Sequence, residues 1–385
     1  MGSDRKNARF IERAAVCALL ALLPAAGVSE AQRNRGAEQQ SSAQLRGLLP
    51  QVAAKYKIPG IVAAVIQNGR VAAVEAFGVR DVASHSPMTE DTVFEAGTLS
   101  EPVFAYAVLE LAAEGHLDLG APVTQYFPLP YRRNPNPFSA AGNSTQMDQV
   151  TDVRFEQITG VRILNHTSGL PDWAPGDHLR LLYSPGEKWS RSGEGEVFLQ
   201  RAVEHMTDQP FDALASRTVL GPYGMTHSGF VWRGGYEGTT ATGYDAAGNS
   251  VTPHHYSQAI GPMTLYTTAG DYARFVSIVL ASSVRQRLHE GVVSLMLNPT
   301  ASVDDSFSFS WGMGWGLEQG AKGPYFFNWS AQPGFYGFVM ASRKTGEGVV
   351  VFTDSENGLP AARDIVQAIL GGDHPLFKSP ILAHR

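Results

Sequence analysis

The strongest constraint on this 385-residue chain is that strand-forming blocks lie at both of its ends, with helix-forming sequence between them. Near the start, Ile61-Val-Ala-Ala-Val-Ile66 runs into Asn68-Gly69 and a second apolar stretch over 71–77. An apolar β-branched run, a two-residue Asn-Gly turn and a returning run predict a hairpin. Near the end, strands are predicted over 335–342 and 348–354, with Lys344-Thr345-Gly346 as the turn between them and a helix over 360–370. Helical spacing of apolar residues predicts helices over 42–56, 103–114, 197–206, 211–219 and 271–281. Pro50 lies inside the first of these as a candidate kink, and Pro59-Gly60 ends it. Residues 129–150, rich in Pro, Asn, Ser and Gly, predict a long surface loop. The order predicts an α+β fold, an α/β sandwich. Its antiparallel sheet is built from both chain ends and flanked by helices, with an inserted all-helical lobe. A cleft between the lobes is the default site.

The first residues read as an export signal. Arg5, Lys6, Arg9 and Arg13 precede an apolar run over 14–26, and Ser29-Glu30-Ala31 offers small residues for cleavage. We therefore assign 1–31 to a signal peptide, 32–41 to a flexible leader, 42–372 to the domain and 373–385 to a C-terminal tail. Within the domain the sheet lobe covers about 42–95 and 305–372, and the helical lobe about 96–304. The sole cysteine, Cys17, lies in the signal, so the mature chain has none. An exported chain without disulfides points to a periplasmic or extracellular protein stabilised by its core. No run of ~18 apolar residues occurs in the body of the chain, so no membrane span is predicted after signal removal. The formal charge is -6, which argues against a nucleic-acid binder. There is no H-E-x-x-H, paired C-x-x-C or Walker loop. The adjacent His254-His255 is a poor metal signature and reads as a surface turn. No cofactor or metal is predicted.

Six segments in order carry a resemblance. They are Gly115-His-Leu-Asp-Leu119 with Pro122-Val123, Ile163-Leu-Asn-His-Thr-Ser-Gly-Leu-Pro171, Pro185-Gly186, Gly221-Pro-Tyr-Gly-Met-Thr226 with Gly229-Phe230, Ala241-Thr-Gly-Tyr244, and Thr267-Thr-Ala-Gly-Asp271. Together they resemble the serine beta-lactamase and penicillin-binding-protein superfamily, in its class C and esterase branch, over roughly 42–372. The resemblance implies an acyl-transfer site. A serine in S-x-x-K attacks, Y-x-N supplies a second base and an amide, and K-T-G or H-x-G holds the substrate. A hydroxyl attacks only if a positioned base takes its proton, and backbone N–H groups must meet the oxyanion.

The matched positions carry other residues. Gly97-Thr-Leu-Ser-Glu101 puts Thr98 at the serine position and Glu101 at the lysine position. Shifting to Ser100 would put Val103 at the lysine position, which fails. Arg191 stands for the tyrosine and Gly193 for the asparagine. Asn328 and Ser330 stand for the ends of the third motif, and Trp329 lies between them. Glu101 and Arg191 are expected to pair, since an unpaired buried charge is costly. Arg191 in solvent, with Glu101 a helix-start acid, is the alternative. Gly193, Asn328, Ser330 and Trp329 are the predicted ligand-binding positions. His166 is read as structural. Trp311, Trp315, Trp329, Tyr325, Phe326 and Phe327 are read as core packing, with an aromatic cleft wall as the alternative. Asp172 and Trp173 are read the same way.

Three functions follow, the weakest being a scaffold whose cleft is vestigial. One is a non-catalytic or strongly impaired ligand-binding protein, taking a small acyl, peptide or cell-wall-like ligand in the cleft, or a protein partner. Another is an acyl hydrolase of esterase, amidase or D-peptidase type, with Thr98 as nucleophile and Glu101 as base.

Overall fold

The structure, a computed structural model, describes residues 24–138, 147–174, 176, 178–281, 287–304, 306–320 and 322–383. In chain order, α1 (Pro24–Tyr56) leads to β1 (Gly60–Gln67), β2 (Arg70–Asp81), β3 (Ser86–Pro87) and β4 (Phe94–Glu95). A single 3-10 turn (Gly97–Leu99) then opens α2 (Ser100–Ala113). Next come β5 (Tyr131–Arg133), β6 (Asp148–Val150), α3 (Gly160–Leu164), α4 (Gly193–Thr207), α5 (Phe211–Ala215), β7 (Gly243–Tyr244) and β8 (Ser250–Val251). They are followed by β9 (Tyr266–Thr267), α6 (Ala269–Leu280) and α7 (Arg287–Leu297). The last part holds β10 (Ala301–Asp304), β11 (Phe309–Trp311), β12 (Gly316–Gly320), β13 (Gly323–Gln332), β14 (Phe335–Ser342), β15 (Glu347–Thr353) and α8 (Gly358–Ile369).

One nine-stranded antiparallel sheet runs in the order β10-β11-β12-β13-β14-β15-β1-β2-β3. The two chain ends meet where β1 pairs with β15, Ile61 opposite Thr353 and Val65 opposite Val349. Asn68 and Gly69 both take positive φ, 52° and 69°, as a tight turn with the right-handed twist of its strands demands. Alternation along β1 sends its side chains to two cores. Val62, Ala64 and Ile66 face the larger core with Val103 and Tyr106 of α2 and Phe275 of α6. Ile61, Ala63 and Val65 face a second core with Leu45 and Leu49 of α1 and Ile365 of α8. Burial on both faces explains why β1 reads as an unbroken apolar run.

Several expectations need correction. Residues 32–41 are not a flexible leader; they continue α1, which runs unbroken from Pro24. The core of the signal segment, residues 1–23, lies outside the described residues. The predicted loop over 129–150 contains the paired strands β5 and β6, and 139–146 lie outside the described residues. The helix predicted over 211–219 is α-helical only to Ala215 and then widens into a π turn, Ser216–Leu220. The sheet lobe begins at β10, a few residues before the expected boundary at 305. The 373–385 tail is structured up to residue 383: two 3-10 turns, Pro375–Lys378 and Pro380–Ala383, bury Leu376, Ile381 and Leu382 in the second core. Lys344-Thr345-Gly346 is the turn between β14 and β15, closed by the Gly346 N–H donating to the Ser342 carbonyl. No helix among the described residues is long and apolar enough to cross a membrane.

Candidate functional site

The head of α2 is pressed against β13. Gly97 has φ +54°, and a Cβ there would lie 2.2 Å from Ser330 Oγ, so only glycine fits. This contact places Thr98 beside the strand, and its hydroxyl donates to the Trp329 carbonyl at 2.8 Å. Ser100 faces inward, where its Oγ accepts from the Leu265 N–H at 3.0 Å. Glu101 is buried in the first turn of α2, with 1% of its side chain exposed.

Arg191 approaches from the segment that enters α4. Its Nε donates to Glu101 Oε1 at 2.9 Å, and one terminal nitrogen donates to Glu101 Oε2 at 2.8 Å. The same nitrogen donates to Asn328 Oδ1 at 3.0 Å. The guanidinium carbon sits 4.6 Å from the centroid of the Trp329 ring. Such a two-pronged contact, stacked on an indole, suits arginine and not lysine. Burial pushes the Glu101 pKa up, but the charge of Arg191, with help from His166, outweighs it and holds the carboxyl down at about 2.

A second carboxylate lies behind this pair. Glu196, in the first turn of α4, is fully buried, and neither of its oxygens has a hydrogen-bond partner among the described residues. Burial, and then the charge of Glu101, raises its pKa well above the ordinary range. Asp172 is also raised by burial, although Arg191 pulls the other way, and its Oδ1 accepts from the Gly193 N–H at 3.1 Å. Acceptor atoms of Glu101, His166 and Glu196 lie within 4.8 Å of one another, close enough to consider a cation. The tautomer argues against it. His166 Nδ1 accepts from the Ser192 N–H at 3.4 Å, which leaves the ring proton on Nε2, 3.6 Å from Glu101 Oε2. A protonated Nε2 offers no lone pair to a metal.

In front of the pair opens a cavity of about 440 Å³, lined by Thr98, Asp172, Lys188, Trp189, Arg191 and Trp329 among others. Of the four positions predicted to bind ligand, only Trp329 lines it. Asn328 is fully buried and acts through Arg191. Ser330 is covered by Gly97, and Gly193 by the Trp173 ring, which would meet a Cβ at 2.4 Å. Trp311, Trp315, Tyr325, Phe326 and Phe327 pack in the cores. His254 faces the buried carboxylate of Glu95 at 3.0 Å on a turn, and His255 stacks on Trp232.

Sequence reasoning did not single out Glu196. The available signal was its place on the face of α4 that also carries Leu199 and Val203, spacings of three and seven that put a side chain inward.

The fold matches a D-alanine carboxypeptidase AmpC from Burkholderia cenocepacia with a TM-score of 0.69, at 17% identity over 85% of this chain and 98% of that one. It matches an octameric penicillin-binding protein homologue from Pyrococcus abyssi with a TM-score of 0.70, at 20% identity over 87% of this chain and 80% of that one. Among curated sequences, esterase EstB of Burkholderia gladioli is 31% identical over 49% of this chain and 52% of its own length. A beta-lactamase of Pseudomonas fluorescens is 27% identical over 67% of this chain and 69% of its own. The chain thus spans about half the length of that esterase. The family model described as Beta-lactamase matches residues 45–372, which include the whole nine-stranded sheet, and the chain belongs to that family.

Proposed function

We propose that this is an exported member of the family whose cleft binds a small ligand without performing acyl transfer at Thr98. The observation that carries this reading is the two-pronged contact between Arg191 and Glu101. A carboxylate held at a pKa of about 2 is a poor acceptor for a hydroxyl proton near neutral pH. Arg191 fills the space where a second base would act. The Thr98 hydroxyl is already donated to a backbone carbonyl, and its β-methyl crowds attack. The basic residues and apolar run before Ala31 support export, with Gln32 as the first mature residue.

The test uses the full chain expressed with its leader and recovered from the cell envelope. It is assayed on p-nitrophenyl acetate and butyrate and a chromogenic cephalosporin, beside the Thr98→Ala variant, and both are treated with a fluorophosphonate probe. Equal background rates, no adduct on Thr98 and an N-terminus at Gln32 are expected. Turnover that disappears in Thr98→Ala, or an adduct on Thr98, would establish the acyl-hydrolase reading instead.

A further inference from the structure

The cavity has one wall that the family core does not supply. The family match stops at residue 372, yet Ile381 lines the same cavity as Thr98, Arg191 and Trp329. The segment that delivers Ile381 is anchored at its base. Glu318, buried on β12, accepts from the Leu376 N–H at 2.9 Å and faces His374 Nδ1 at 2.7 Å. Leu376, Ile381 and Leu382 then sink into the core that also holds Trp311 and Trp329. Ile381 is only 7% exposed, so its side chain is fixed by packing.

The rest of the lining shows what such a wall would select. At about 440 Å³ the cavity lies toward the small end of ligand sites. Trp189, Trp329, Ala331 and Ile381 give it an apolar side. Arg191 supplies the opposite chemistry. Its second terminal nitrogen has no hydrogen-bond partner among the described residues, and the side chain lines the cavity beside Lys188.

We infer that the segment 373–383 is a specificity-determining wall of the cleft, in which Ile381 limits the ligand to a compact aromatic or short-acyl carboxylate. The carboxylate would meet Arg191, and the apolar group would lie against Trp189 and Ile381. This rests on the cleft being a ligand site, as proposed above.

The test is titration of the full chain with phenylacetate and with biphenyl-4-acetate, followed by calorimetry. Wild type should bind phenylacetate and disfavour the larger acid by about tenfold, the scale on which an apolar pocket discriminates size. Ile381→Ala should remove that preference and Ile381→Phe should weaken phenylacetate, and a cooperative melting transition retained in both variants guards against a folding defect. An unchanged size preference in Ile381→Ala would overturn the wall. Binding of neither acid by wild type would overturn the ligand class. The non-catalytic reading fails separately, on Thr98-dependent turnover, and a size preference set by Ile381 would survive that failure.

Discussion

Two arginines, Arg133 and Arg191, sit among buried acids, and they differ in how completely those acids are satisfied. Arg133, on β5, donates to Asp148 at 3.2 Å, to Glu194 at 2.7 Å and to the Ala174 carbonyl at 2.8 Å. Its acids have further donors. Asp148 also accepts from the Leu179 N–H at 2.9 Å and contacts His178, and Glu194 from the Ala174 N–H at 3.0 Å. This network ties the β5–β6 hairpin and the segment carrying Trp173 to the first turn of α4. Arg191 also lies among several acids, but among the described residues the only one it clamps is Glu101, and Glu196 has no hydrogen-bond partner there on either oxygen. The closed network belongs to the scaffold and the open one to the site. A partly satisfied buried network is destabilising, and its position behind the cleft marks where the fold has given up stability.

The largest effect should come from the closed network. Arg133→Met strands two carboxylates in a dry place, and loss of one partner from a buried pair costs about 3–5 kcal/mol. Urea unfolding measures it; a loss under ~1 kcal/mol, the scale of an exposed pair, would mean that water already reaches the network.

Arg191→Met should cost less, about 2–3 kcal/mol, because the arginine is 15% exposed and water from the cavity can replace part of it. Its pH dependence sharpens the contrast. The folded Glu101 pKa of about 2 lies below the unfolded value of ~4.3, so the pair contributes fully above ~4.3 and is lost as pH falls toward 2. The gap between wild type and variant should therefore close in acid, and a gap that widens there would break the assignment.

The smallest effect has the opposite sign. The folded pKa of Glu196 is raised. Below ~4.3 both states keep its proton; above that the unfolded chain releases it and the folded chain does not, so wild type loses stability as pH rises. Glu196→Gln keeps the shape and cannot titrate. It should equal wild type near pH 4 and be the more stable of the two at pH 7. Melting curves at the two values decide it.

The sheet was legible where the local signal was strong. The apolar run of β1, the Asn68-Gly69 turn and the blocks that became β14 and β15 each agree with their tertiary setting. The strands β11 and β12 were not legible. Phe309-Ser-Trp311 and Gly316-Leu-Glu-Gln-Gly320 are short, and neither shows a sustained alternation. The hairpin of β5 and β6 was hidden because Arg133 and Asp148, which look like surface charges, are buried against each other. In the site, the approach of Glu101 to Arg191 followed from charge at matched motif positions. The inward turn of Glu196 did not, because an acid in the first turn of a helix is already accounted for by the helix dipole. The burial of Ser330 and Gly193 depends on two neighbours, Gly97 and Trp173, that no local pattern connects to them.

Strand β1 lies between β2 and β15, and residue 61 faces residue 353. During folding the early hairpin therefore waits, with one edge open, until β15 comes back to it from far along the chain. Pairings of such long sequence separation form slowly, and an open apolar edge invites association with other chains. Until β15 arrives, that edge stays open to pairing with other chains.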